Sequence, residues 1–290
     1  MPRIEMNILS STDTALLRKS TEDAGMRRLA IVYHLKISDT PAYESWLRES
    51  QGKFGCKRLF RVKADPVARE GMLLDEIIID EFSSPRSALM FLSVYSEALQ
   101  KACSEHAILV VKPEPWIKFR LVKFISWLIR LFKAVSDKGI PTATWKAENT
   151  SIWPDEDQMK VAREQALDEP LYVYNLNKYK PEAEYKDFTD GDTKISGKAA
   201  YERYAKIAGF ELLRRGAYPV YGGEPICLFA NSETCMLTDD WDHFIFVQYP
   251  QRRNLLAMIE SAQFQNGEAH RDAGLERVAV FMTKMSDTTN

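Results

Sequence analysis

Residues 73–92 read LLDEIIIDEFSSPRSALMFL, and residues 240–259 read DWDHFIFVQYPQRRNLLAMI. Laid over each other, the two stretches put Asp75 on Asp242, Phe82 on Tyr249 and Arg86 on Arg253. Each opens as an apolar strand, breaks at Ser83-Ser84-Pro85 or at Pro250, and continues with helical spacing. The shared succession of strand, breaker and helix is the mark of one unit written twice.

Working outward, LAIVYHLKI (29–37) alternates like a half-buried strand, and a turn signal at Ser38–Pro41 leads into a helix over 41–55, ended by Gly55. CKRLFRVKA (56–64) and MLLDEIIIDEF (72–82) are strand-like, with a loop holding Pro66 and Gly71 between them. Residues 83–105 make an amphipathic helix with serine as cap and Pro85 in its first turn, and HAILVVK (106–112) closes the set. Residues 171–284 repeat the order. Strand LYVYNLNKYK is followed by a helix over 199–216 stopped by Gly216, a strand region starting at AYPVYGG, strand WDHFIFVQY, a helix over 251–270 and strand ERVAVFMTK. The expected fold class is therefore α+β: tandem ferredoxin-like (βαββαβ) modules at 29–116 and 171–286. An N-terminal extension covers 1–28, and a connector covers 117–170.

The second copy carries YVYNLNKY (172–179), AYERY (200–204), GAYPVYGG (216–223), WDHFIFVQYPQRR (241–253) and HRDAGLER (270–277). With these motifs the chain resembles the dimeric α/β-barrel superfamily. Its C-terminal half is more specifically similar to an uncharacterised domain-of-unknown-function family within it. The resemblance implies that the two modules form an intramolecular pseudo-dimeric α/β barrel. It also implies cofactor-independent oxygenase, isomerase or cyclase chemistry on an enolisable apolar substrate, with haem binding as an alternative. The first copy has diverged: Glu76 stands where His243 is, Ser83 where Pro250 is, and HR-x-x-GLER is missing. A site is expected in the second module.

Within that module, strand alternation puts Trp241, His243, Ile245, Val247 and Tyr249 on one face, and Val173, Asn175 and Asn177 on one face of the neighbouring strand. His270 or His243 is the candidate proton acceptor, with Asp242 to orient it. Arg271 and Arg253 are candidate anchors for a carboxylate or enolate, and Asn175 for a carbonyl. Tyr201, Tyr204, Trp241 and Tyr249 would seat the substrate. Each has a structural alternative: helix-end or sheet-rim histidines, arginines paired with Asp272, Glu276 or Asp242, and tyrosines in the core. Gly274 is expected to permit a tight reversal into the last strand.

Several chemistries lack a signal. There is no GxGxxG or P-loop, so no nucleotide cofactor is expected. Four dispersed cysteines and four unpaired histidines form no metal-binding pattern. DFTDGDTKISGK (187–198) places Lys198 where a calcium loop needs a bidentate Glu. The net charge of −2 offers no general pull on nucleic acid. No secretory h-region opens the sequence, which points to a cytoplasmic protein, with a small-molecule ligand and a homo-oligomer as expected partners.

The connector departs from this balance. Residues 117–136 contain five basic side chains, Lys118, Arg120, Lys123, Arg130 and Lys133, and no acid. Ile117, Leu121, Phe124, Ile125, Leu128, Leu131, Phe132 and Val135 share one face of a helix, with Lys123, Ser126, Arg130 and Lys133 opposite. Two readings stand open: a face packed into the core, or a helix docking at a membrane surface. Residues 154–170 read as a spacer.

Overall fold

The computed structural model describes residues 27–65, 74–135, 137, 152–186, 194–231, 237 and 240–286. The extension up to residue 26, Pro66, Gly71, Gly139, Pro141, Cys235 and most of the 187–198 stretch lie outside the described residues. The chain is α+β, with the βαββαβ order of a ferredoxin-like unit written twice, and it divides into two compact units.

Unit 1 runs to Pro113 and adds Gly223–Asp240 and the chain from Met285. Strand β1 (Leu29–Ile37) lies between antiparallel β3 (Glu76–Phe82) and β4 (Cys103–Pro113), and β2 (Lys57–Ala64) pairs with β3. Helix α1 (Thr40–Ser50) starts inside the turn signal, where Asp39 accepts from the Ala42 N–H, and α2 (Pro85–Ala102) starts where a serine cap is expected, with Ser84 accepting from the Ser87 N–H. The first helix ends at Ser50, short of Gly55, because Gly52 takes a left-handed conformation and a separate 3-10 turn covers Lys53–Gly55. Tyr33, Tyr43, Trp46, Phe82 and Phe91 belong to one buried cluster here.

Unit 2 comprises Glu114–Gly222 and Trp241–Lys284. It begins with connector helices α3 (Trp116–Lys133) and α4 (Glu156–Glu164), the second opened by a capping box between Asp155 and Gln158. Strand β5 (Leu171–Tyr179) is followed by α5 (Gly197–Arg214), which Gly216 ends at φ +79°. Strand β6 (Tyr218–Ala230) gives its first residues to unit 2, and its second half pairs with β4 in unit 1. Strands β7 (His243–Tyr249) and β8 (Leu275–Met285) flank β5 on either side.

The two copies superpose in function as well as order at one position. Asp75 Oδ2 accepts the N–H of Ile37, the last residue of β1, at 2.6 Å, and the Asp75 N–H donates to the Leu35 carbonyl. Asp242 Oδ2 accepts the N–H of Tyr179, the last residue of β5, at 2.7 Å, and the Asp242 N–H donates to the Asn177 carbonyl. Each aspartate ties off the end of the first strand of its copy.

Two expectations are corrected. The single helix over 251–270 is three: α6 (Arg252–Ile259), α7 (Ala262–Gln265) and α8 (Glu268–Gly274). Ser261 breaks the first by donating to the Met258 carbonyl while accepting the Phe264 N–H as a new cap. Gly274 makes no reversal at positive φ. It closes α8, and a Cβ there would stand 2.5 Å from the Gly197 carbonyl oxygen. The glycine serves helix approach.

The amphipathic helix α3 lies opposite to the packed-face reading. The helix buries Phe119 and Ser126 instead, and the Ser126 hydroxyl donates to the Leu213 carbonyl of α5 at 2.9 Å. Ile117, Leu121, Phe124, Trp127, Leu131 and Phe132 are exposed, Phe132 to 86%. Among the described residues no helix is long and apolar enough to cross a membrane.

Candidate functional site

Unit 2 holds a partly open cavity of about 390 Å³ between the helix-facing side of its sheet and the helices. The volume falls in the range of roughly 300–1,000 Å³ typical of small-molecule sites. Strand alternation builds the floor. Val173 and Asn175 of β5, Ile245, Val247 and Tyr249 of β7, and Val280 and Met282 of β8 point into it. The opposite face of the same strands holds an aromatic layer, in which Tyr174 lies 4.9 Å from Phe244 and 5.9 Å from Phe281. Helix α5 supplies Tyr201, Tyr204, Ala208 and Gly209 to the walls, while α3 contributes Lys118 and Val122. The roof includes Trp153, the residue just before the stretch read as a spacer.

Arg271 is the polar centre. It is 9% exposed, and its guanidinium lies 4.2 Å from the centre of the Trp153 ring. One terminal nitrogen donates to the Tyr204 hydroxyl at 3.0 Å and the other to the Ile152 carbonyl at 2.8 Å. Its Nε–H has no partner among the described residues. The expected ion pair with Asp272 is not formed, since Asp272 accepts the Trp153 indole N–H at 2.8 Å. Tyr201 accepts from Asn177 at 3.2 Å, and burial pushes its hydroxyl up to about 12. Tyr249 is raised by burial and by the neighbouring Tyr204, and pulled down by the Arg271 charge.

Of the candidate residues, Arg271, Asn175, Tyr201, Tyr204 and Tyr249 converge on this cavity. The others do not line it. His270 sits on α8 with Nδ1 2.8 Å from the Tyr185 hydroxyl, its pKa lowered by burial and by Arg203. His243 starts β7, and its buried Nδ1 has no hydrogen-bond partner among the described residues. Desolvation lowers its pKa. The Asp242 carboxylate, expected to orient a histidine, is engaged by the Tyr179 N–H and lies 3.7 Å from Lys178. Arg253 pairs with Asp168 at 2.6 Å and fixes the chain entering β5. Trp241 is buried outside the lining.

Sequence reasoning missed Trp153 and the apolar wall of α6, with Leu255, Met258 and Ile259. Trp153 has one signal, an aromatic alone in front of the acidic PDED run. Among the described residues the lining contains no histidine or cysteine to hold a haem iron. His34 and His106 lie buried in unit 1, each lowered by burial to about 4. Haem does not fit these residues. Among the described residues no cluster of metal-ligating side chains occurs.

No family model matches the chain, and no curated protein matches it. Among solved structures, a protein of unknown function from Rhodopseudomonas palustris is similar at 24% identity and a TM-score of 0.38, over 45% of this chain and 93% of that one. A candidate chlorite dismutase is similar at 11% identity and a TM-score of 0.47, over 90% and 95%. A candidate monooxygenase from Fusobacterium nucleatum gives 10% identity and a TM-score of 0.46, over 90% and 93%. Likenesses of this strength say nothing about activity.

Proposed function

We propose that unit 2 is a binding module for a small, largely apolar molecule, held in the cavity between its sheet and helices. The observation that carries this reading is the cavity itself: an apolar space of about 390 Å³ with a few convergent polar groups from several elements. The finer reading, cofactor-independent oxygenation, isomerisation or cyclisation of an enolisable substrate, keeps Arg271 and Asn175 as oxyanion donors. It needs a base at the cavity, and neither His243 nor His270 lines it. Binding is therefore the function the geometry supports best.

Blocking the space tests it. Gly209 lines the cavity and has open space around the position of a Cβ. Gly209→Leu should weaken binding of 2-naphthylmethanol by at least about tenfold, measured by equilibrium dialysis, with no loss of thermal stability. Equal binding by both proteins would remove the cavity from consideration.

A second reading concerns α3. Its exposed face combines Ile117, Leu121, Phe124, Leu131 and Phe132 with exposed Lys118, Arg120, Lys123, Arg130 and Lys133. Cations flanking an apolar stripe complement an anionic lipid surface, where the stripe enters the acyl boundary and the cations meet headgroups. The protein should float with phosphatidylcholine vesicles containing phosphatidylglycerol, and more weakly with phosphatidylcholine alone. Phe124→Ser with Phe132→Ser should abolish flotation and leave the fold intact. Flotation unchanged by these substitutions, or absent throughout, would refute membrane docking. A homodimer dissociated by the same pair would instead assign the face to a second copy.

A further inference from the structure

A buried guanidinium without a counter-charge is expensive to desolvate, and folded proteins ordinarily pair it. Among the described residues Arg271 has no carboxylate partner, although it is 9% exposed and lies on the cavity. Asp272, next to it in sequence, is turned away to the Trp153 indole. What surrounds the guanidinium is neutral: the Trp153 ring, the Tyr204 hydroxyl and the Ile152 carbonyl. One donor, Nε–H, is left over. The second cation on the lining is different, because Lys118 is paired with Glu114 at 2.6 Å.

We propose that the ligand of this cavity is an apolar carboxylic acid whose carboxylate lies against Arg271, with its hydrocarbon or aromatic body on the Val173, Ile245, Val247 and Met258 walls. The proposal rests on the cavity being a ligand site and names the chemical class it takes. A planar carboxylate suits a guanidinium edge with a free N–H, and a charge-assisted bond inside an apolar cavity is stronger than its counterpart in water. Asn175 offers a further donor on the same lining, since its Nδ2 makes only a long 3.4 Å contact with the Val173 carbonyl. An amide of the same shape gains no ionic contact and leaves the guanidinium uncompensated.

The test compares 2-naphthoate with 2-naphthamide, equal in shape and different in charge, by equilibrium dialysis near neutral pH. The unaltered protein should bind the acid at least about tenfold more tightly than the amide. In Arg271→Gln, checked for retained fold by circular dichroism, that preference should fall to within about threefold. Equal affinities for acid and amide in the unaltered protein would overturn the carboxylate assignment and leave the cavity reading standing. Failure of both probes to bind would overturn the two together. A preference that survives Arg271→Gln would place the anion elsewhere and also overturn the assignment. Because the first comparison needs no variant, it decides the matter even if Arg271→Gln does not fold.

Discussion

Replacing Arg58 by methionine should destabilise unit 1 by about 3–5 kcal/mol, the cost of leaving a buried charge without its partner. Asp80 lies in the middle of β3 at 0% exposure, where its carboxylate accepts from Arg58 Nε at 3.0 Å and from Nη2 at 3.1 Å. Arg58 also donates to the Leu47 carbonyl and the Ser50 hydroxyl, and its guanidinium lies 5.4 Å from the Trp46 ring centre. The pair thus binds sheet to α1. The Cys56 thiol, pushed up by burial and by Asp80, stays neutral beside the carboxylate and offers it no positive charge. Methionine fills much of the arginine volume, so the loss reads out the stranded carboxylate rather than a void. Adding Asp80→Leu should return most of the stability, because an apolar pair replaces a desolvated ionic one. Urea denaturation of the single and double variants measures both values. A single-variant loss under about 1 kcal/mol would mean that water reaches Asp80.

How much of this architecture is legible in the sequence depends on which physical signal each element carries. Strand alternation and helix punctuation are local, so the βαββαβ order, the Asp39 and Ser84 caps and the Gly216 stop can all be read from residues close together. The overlay of Asp75 on Asp242 is legible for the same reason, and the structure gives both the same bond to a strand end. The orientation of α3 is not legible, because an amphipathic pattern says that two faces differ and not which one meets the protein. Here one serine bonded to the Leu213 carbonyl accompanies the inverted face. Within the site, alternation puts Ile245, Val247 and Tyr249 on one face of β7 and Val173 with Asn175 on one face of β5, and all five line the cavity. Alternation does not bear on His270 and Arg271, which are neighbours on a helix. Consecutive residues on a helix point about 100° apart, so Arg271 turns to the cavity while His270 meets Tyr185. Trp153 reaches the cavity only through tertiary folding, and its one local signal, its place in front of the PDED run, does not say where the ring goes.

Gly274→Ala should destabilise unit 2 by about 3 kcal/mol, at the upper end for forced overpacking, and lower its melting temperature by roughly 6–12 °C. The start of α5, the end of β5 and the end of α8 meet there through backbone hydrogen bonds, with the Lys180 ammonium adding a bond to the Asp272 carbonyl. The Gly197 N–H donates to the Lys180 carbonyl at 3.1 Å, and the Lys180 N–H donates to the Gly274 carbonyl at 2.9 Å. A Cβ on Gly274 would stand 2.5 Å from the Gly197 oxygen and 2.8 Å from the Tyr201 nitrogen, both of them backbone atoms that no rotamer can move. Helix α8 would have to shift outward. Arg271 lies one turn earlier on that helix, and Tyr201 lies in the first turn of α5, so the same displacement would pull the guanidinium from Tyr204 and Trp153. Stability and naphthoate affinity should therefore fall together in Gly274→Ala. Gly209→Ala is the matching control: its Cβ meets nothing within 4 Å, so helix propensity should raise stability by up to about 1 kcal/mol. Calorimetry on the two variants separates a general intolerance of added methyl groups from a specific close approach. A normal melting temperature in Gly274→Ala would show that α8 and α5 are not held at this distance, and would remove the packing reason for where Arg271 stands.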